Sequence, residues 1–246
     1  MKILGIDIGG TGIKGAVVDT KKGELLTERH RIPTPTPATP AAVIETVISL
    51  INHFEWTGPL GCGFPAAVRN EVVVTASNID KSWIGINAAL QIEKATGCPT
   101  HLVNDVDAAG TAEMKFGAGK LQKGVTIMVA AGTGIGTSLF IDRKLVPNTE
   151  LGFVQVAGMP GEHYAANSVR KNEDLSWEEW AHRLNAYFQR LEELFWPDLF
   201  ILGGGVSKHF ERYQEHFSLD TPLVPAATRN HAGVIGAALA AKKKFN

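Results

Sequence analysis

Two glycine-rich stretches, "GGTGIKGAVVD" from Gly9 and "AGTGIGTSLFID" from Ala131, each follow an apolar run and share Gly-Thr-Gly-Ile. A turn without side chains lets backbone N–H groups approach an anion, and a threonine hydroxyl adds another donor. Gly9, Gly10, Thr11, Gly12 and Lys14, with Gly132, Thr133 and Gly134, therefore read as two grips on one chain of phosphates. The plainer alternative is that the glycines only satisfy turn geometry. Asp7 precedes the first turn, whereas Val129 holds the matching place before the second, so one copy alone carries an acid. A lone carboxylate beside a phosphate loop points to Mg²⁺ held largely through water. An ion pair is the competing reading.

"LVNDVDAAG" sets an acid where an apolar strand gives way to a helix, and Asp105 is the candidate general base for deprotonating a hydroxyl. An N-cap role for Asn104 or Asp105 explains the same pattern. Glu150 in "NTELG" suits hydrogen bonding to sugar hydroxyls, or is an ordinary loop glutamate. Gly203, Gly204 and Gly205 follow another apolar strand and either admit a nucleotide face or turn the chain. "GTGIKG" also satisfies the dinucleotide pattern GxGxxG, but that pattern needs a helix after it, and "AVVD" is strand-like. A nicotinamide enzyme is thereby disfavoured.

The two turns are separated by nearly half of the 246 residues, which predicts two related halves, each bringing a loop to a shared cleft. In the first half, "KILGIDIG", "IKGAVVD" and "ELLTERHRI" read as a meander of three strands. The proline-dense "PTPTPATP" is an extended connector whose Thr39-Pro40 starts the helix "AAVIETVISLINHF". "LGCGFP" and "NEVVVTAS" read as strands, "WIGINAALQIEKATG" as a helix closed by Gly97, and "HLVND" as the strand before Asp105. The pattern restarts with "GVTIMVAAGTG", "GTSLFID" and "KLVPN". Trp177, Trp180, Leu184, Tyr187, Phe188, Leu191 and Leu194 recur at helical spacing, a stripe for the core or a subunit contact. "DLFILGGG" is a buried strand and "AGVIGAALAAKKK" a closing helix. Strands alternating with helices predict an α/β protein.

Charge is nearly balanced, with 24 basic and 25 acidic residues, which argues against nucleic acid or an anionic membrane as partner. No apolar run approaches the ~20 residues needed to span a bilayer, and Asp7 interrupts the only candidate leader. Cys62 and Cys98 lack metal or redox spacing, so the expected setting is the reducing cytoplasm.

"GIDIGGTGIKGAVVD", "ASNIDKSWIG", "LVNDVDAAG", "GTGIG", "LVPNTELG", "WPDLFILGGGVS" and "TPLVPAATRNHAGVIGAALA" resemble, in order along nearly the whole chain, the ROK family in its polyphosphate glucokinase branch. The resemblance implies two ribonuclease-H-like domains of the actin-like ATPase superfamily around a central cleft. Their expected extents are 1–106 and 107–231, with the closing helix 232–244 packing back on the first. It further implies phosphoryl transfer from polyphosphate or ATP to the 6-hydroxyl of glucose, with Mg²⁺, in a homodimer. Asp105 then matches the base, while Asn78, Asn104 and Glu150 match sugar ligands. The family pattern continues with His and then Glu two residues later, where this chain has Phe153 and Gln155. That departure leaves another sugar or polyol as acceptor, or a non-catalytic sugar or phosphate sensor, as alternatives.

Overall fold

The structure, a computed structural model, describes every residue from Met1 to Asn246. The chain divides into two compact units, Met1–Ala112 with His231–Asn246, and Glu113–Asn230.

The first unit opens with β1 (Lys2–Gly9) and β2 (Gly12–Asp19), antiparallel, with Gly9 opposite Gly12 across a two-residue turn. Next come β3 (Glu24–Leu25), β4 (His30–Ile32), α1 (Pro40–His53) and β5 (Leu60–Phe64). A small hairpin of β6 (Val68–Arg69) and β7 (Val72–Val73) precedes α2 (Ala88–Thr96), β8 (Thr100–Asn104) and α3 (Asp105–Phe116). The sheet order is β3-β2-β1-β5-β8, with β4 also on β2; β1, β5 and β8 run parallel. Leu4, Ile6 and Ile8 point from β1 into a core shared with Val43, Val47 and Leu50 of α1. The alternate positions face α7 (Ala232–Phe245), as the two-residue side-chain period of a strand requires. At Gly5 and Gly61 a Cβ would lie under 3 Å from the carbonyl oxygens of Val234 and Ala237, so the closing helix rests directly on strand backbone.

The second unit repeats the plan. β9 (Val125–Ala131), β10 (Ile135–Ile141) and β11 (Lys144–Val146) form the meander, and β14 (Leu199–Gly203) and β15 (Leu223–Pro225) run parallel to β9. The order β11-β10-β9-β14-β15 matches that of the first sheet position by position. Between the strands lie the hairpin β12 (Gln155–Val156) and β13 (Met159–Pro160), then α4 (Gly161–Ala165), α5 (Asn167–Asn172) and α6 (Trp177–Phe195). Trp180, Leu184, Tyr187, Phe188 and Leu191 of α6 are fully buried against the sheet, so the aromatic stripe is core. Its ends differ: Trp177 stacks on Tyr213, whereas Leu194 is exposed. Ser176 and Glu179 close the start of α6 as a reciprocal capping box.

Local departures from the sequence reading have simple causes. "ELLTERHRI" is two short strands, because the hydroxyl of Thr27 accepts the Val17 N–H and interrupts the ladder. "NEVVVTAS" turns tightly at Asn70 and Glu71, both at positive φ, so only fragments of it pair. The helix expected from Trp83 starts at Ala88, where Asn87 accepts the Leu90 N–H as cap. Thr39 and Gly97 cap their helices as anticipated. The division between units falls inside α3, after Ala112, six residues beyond the expected boundary at 106, which also lies within that helix. No helix is long and apolar enough to cross a membrane.

Candidate active site

In the first unit, three parallel strands end side by side, with Asp7 in register with Gly63, which is itself opposite Val103. The β1–β2 turn and the β8–α3 junction, hence Asp7 and Asp105, therefore share one end of one sheet, where open α/β sheets bind ligands. Asn104 caps α3: its Oδ1 accepts from Val106 N at 2.9 Å and Asp107 N at 3.0 Å, while its Nδ2 donates to the Ala66 carbonyl at 3.1 Å. Three of the four hydrogen-bonding positions of that amide are thus committed to the fold. Asp105 follows the cap, and its Oδ1 also accepts from Val106 N at 2.9 Å. The duty that competes with a base role at the sequence level falls to its neighbour.

Asp7 accepts from Lys14 Nζ at 3.0 Å through Oδ2, both groups being partly exposed. The ion-pair alternative is therefore present, and Lys14 is paired with Asp7. A Cβ at Gly233, in the first turn of α7, would lie 2.8 Å from the Asp7 carboxyl carbon, so glycine there keeps the carboxylate accessible. A single part-exposed carboxylate beside a bare turn fits Mg²⁺, which takes one or two carboxylates and keeps several waters. Asn78 is exposed, and its carbonyl lies 3.6 Å from where a Cβ on Gly10 would project. The turn is braced from outside: Arg31 donates to the Thr11 carbonyl at 2.6 Å, and the Thr34 hydroxyl donates to that of Gly9.

In the second unit, Gly132 N donates to Gly134 O at 2.9 Å to close the matching turn. Ser168 of α5 grips it twice, donating its N–H to Gly132 O and its hydroxyl to Thr133 O. Gly132 has no positive φ, and nothing lies within 4 Å of its would-be Cβ. Neither a positive φ nor packing demands glycine there, and the backbone is open to close approach. The run at 203–205 differs. Gly204 has φ +81° with a Cβ position 2.5 Å from Ala131 O, and a Cβ on Gly203 would meet Met128 at 2.5 Å. The positive φ and the Ala131 carbonyl account for glycine at 204, whereas the Met128 methyl facing Gly203 is the movable end of a flexible side chain and Gly205 has open space.

Glu150 is positioned by β10, where the Thr137 hydroxyl donates to Thr149 O and accepts from Leu151 N at 3.0 Å. Desolvation, then the nearby Glu162 carboxylate, holds the Glu150 carboxyl above its usual range. Glu162, at the start of α4, also lies against Gly134. The sequence reading missed it, since "GMPGEHY" is a short interrupted segment without periodicity. The signal was a glutamate just after a Pro-Gly turn, where a helix begins. Phe153 and Gln155 are both exposed, in the short helical turn Leu151–Phe153 and on β12.

The duplicated sheet order, the paired turns and the acids at the strand ends define the class. Residues 3–159 match the model of the ROK family, and the chain belongs to that family. Its fold is that of the ROK sugar kinase structures, within the actin-like ATPase superfamily. The chain is 44% identical to the polyphosphate glucokinase of Mycobacterium tuberculosis (strain CDC 1551 / Oshkosh) over 96% of its own length and 90% of that protein's. It superposes on the crystal structure of inorganic polyphosphate/ATP-glucomannokinase from Arthrobacter sp. strain KM with TM-score 0.96 and 43% identity, covering 99% of each chain. A ROK family glucokinase from Streptomyces griseus, solved with glucose and AMPPNP, shares the fold at TM-score 0.85 and 24% identity, over 99% of this chain and 100% of that one.

Proposed function

We propose that the chain is a sugar kinase that moves a phosphoryl group from inorganic polyphosphate or ATP to the 6-hydroxyl of glucose or a related hexose. The observation that carries this reading is the open backbone at Gly132, in a turn that occupies the same place in its sheet as the Gly10 turn does in the other. The names of the Mycobacterium and Arthrobacter relatives support it.

In the proposed reaction, backbone N–H groups of the Gly9–Gly12 and Gly132–Gly134 turns donate to the oxygens of the donor phosphates. Asp105 accepts the proton of the sugar hydroxyl as its oxygen attacks the terminal phosphorus. The bond to the leaving phosphate breaks, releasing ADP or a polyphosphate one unit shorter. The loose transition state of phosphoryl transfer asks mainly for positioning and charge neutralisation. Mg²⁺ beside Asp7 would supply part of that neutralisation. The sugar is held by Asn78, by the remaining N–H of Asn104, and by Glu150 together with Glu162. Two carboxylates crowded enough to raise one of them are strong acceptors for sugar hydroxyls, which relieve their desolvation. This pair compensates for Phe153 and Gln155 at the positions that depart from the family pattern. We further propose that the protein works in the cytoplasm as a homodimer, in keeping with two buried free thiols and with the family resemblance.

A donor-by-acceptor matrix tests this reading, with polyphosphate or ATP as donor, glucose, mannose, N-acetylmannosamine and polyols as acceptors, and Mg²⁺ throughout. Sugar phosphate from a hexose is the expected result. Product only with a polyol would reassign the acceptor, and tight ligand binding without product in any well would identify a sensor.

A further inference from the structure

Glu178 and His182 stand one turn apart on α6, and His216 reaches them from the short 3-10 turn Gln214–His216, with donor atoms all within 4.8 Å of one another. We propose that this cluster binds a divalent transition-metal ion of the zinc class and cross-braces α6 to the segment that follows Tyr213. Two imidazoles and one carboxylate form a donor set suited to Zn²⁺, Ni²⁺ or Cu²⁺, whereas Mg²⁺ prefers oxygen alone. The site is therefore chemically distinct from the Mg²⁺ position proposed at Asp7, and it does not rest on the kinase reading.

The geometry is close to what coordination needs. His182 Nε2 lies 4.0 Å from Glu178 Oε1, and the rings of His182 and His216 are tilted at 57° with centroids 5.5 Å apart, so they converge rather than stack. A tetrahedral ion with arms of about 2.0–2.1 Å holds its donors about 3.3 Å apart. Closure thus asks for movements of about an ångström. Glu178 and His182 are exposed and can make them by rotation without disturbing the core.

The frame is already rigid. Asn185 Oδ1 accepts from Ser218 N at 2.9 Å, and Gln189 donates to the Ser218 carbonyl at 3.1 Å. Phe217 packs on the edge of Phe188 with centroids 5.9 Å apart. These ties lock the backbone beside His216 to the same helix that carries the other two ligands, so the fold itself has gathered the donors. Three protein ligands leave a fourth place for water or for Glu215, whose Oε1 lies 3.8 Å from His216 Nε2.

The test uses the full chain without any histidine tag, titrated with Zn²⁺ by calorimetry and with Co²⁺ by visible absorption. The proposal expects one ion per chain, ligand-field bands of a low-coordinate Co²⁺ site, and a midpoint temperature raised by about 2 °C or more at saturating Zn²⁺. His182→Ala and His216→Ala should each weaken Zn²⁺ binding by at least about tenfold. Both should keep the metal-free midpoint temperature, which separates lost ligation from lost folding. Binding that neither substitution weakens, or no binding at micromolar Zn²⁺, would overturn the assignment.

Discussion

Replacing Gly132 and Gly204 by alanine should have opposite consequences, although both glycines follow buried strands. At Gly132 the φ is not positive and no atom lies within 4 Å of the added methyl. Gly132→Ala therefore costs the fold nothing and stabilises it by about 0.4–1 kcal/mol, by restricting the unfolded chain. In the proposed reaction the methyl instead stands in the path of a donor phosphate oxygen approaching the turn. Losing one hydrogen bond to a charged oxygen is worth about 1.5–3 kcal/mol, a fall of about ten- to a hundredfold in kcat/KM for the donor. At Gly204 the φ of +81° and the Ala131 oxygen at 2.5 Å combine against any side chain. Left-handed strain of about 1–2 kcal/mol and overpacking of about 1–3 kcal/mol give Gly204→Ala a destabilisation of about 2–5 kcal/mol. Urea unfolding reads the stabilities, and a coupled assay of sugar phosphate formation with polyphosphate or ATP varied reads the kinetics. A Gly132→Ala protein that loses stability, or that keeps full kcat/KM for its donor, would refute the reasoning that this glycine serves a ligand.

Other expectations follow from individual side chains. Glu150 is exposed on the loop before Leu151, and Glu150→Gln should be more stable than the parent at neutral pH, because partial desolvation and Glu162 disfavour the charged form. The advantage should grow as pH rises from the unfolded carboxyl value of about 4.3 through the raised folded value, and vanish below that window in pH-dependent urea melts. Glu113 is fully buried, and its carboxylate accepts from Ala118 N at 2.8 Å, Ala227 N at 3.1 Å, Thr228 N at 2.6 Å and the Thr228 hydroxyl. Glu113→Ala strands three backbone donors and should cost at least about 3 kcal/mol in the same melts. Cys62 is buried with its thiol pushed up to about 12, and Cys98 is raised by desolvation. A thiol reagent at pH 8 should therefore label neither cysteine in the native protein and both in denaturant.

The legible parts of the sequence were those with strong period or local chemistry. Each glycine turn sat between two apolar runs, so the hairpins, and through them the repeated strand meander, could be read directly. Thr39-Pro40, Gly97 and the aromatic stripe of α6 obeyed capping and periodicity rules without interference from distant contacts. What escaped depended on tertiary partners. Thr27 splits a strand by bonding to Val17, ten residues earlier in sequence. Glu162 matters because β10 and α4 bring it to Glu150 and Gly134, and no spacing in the sequence encodes that. Asn104 and Asp105 could not be separated from sequence, since either can cap a helix; hydrogen-bond partners assign the cap to Asn104. The glycines at 203–205 read in the sequence as a nucleotide face or a turn; the turn reading is supported at Gly204 by its positive φ and the nearby Ala131 oxygen.

The most direct test of the account is the turnover of Asp105→Asn beside the parent protein, with glucose as acceptor and polyphosphate or ATP as donor. Asparagine can still accept the Val106 N–H, and Asn104 still caps α3, so folding should change by less than about 1 kcal/mol. Removal of the base should lower kcat by about 10²–10⁴-fold, with the KM for glucose little altered. A folded variant that forms glucose 6-phosphate at close to the parental rate would contradict it.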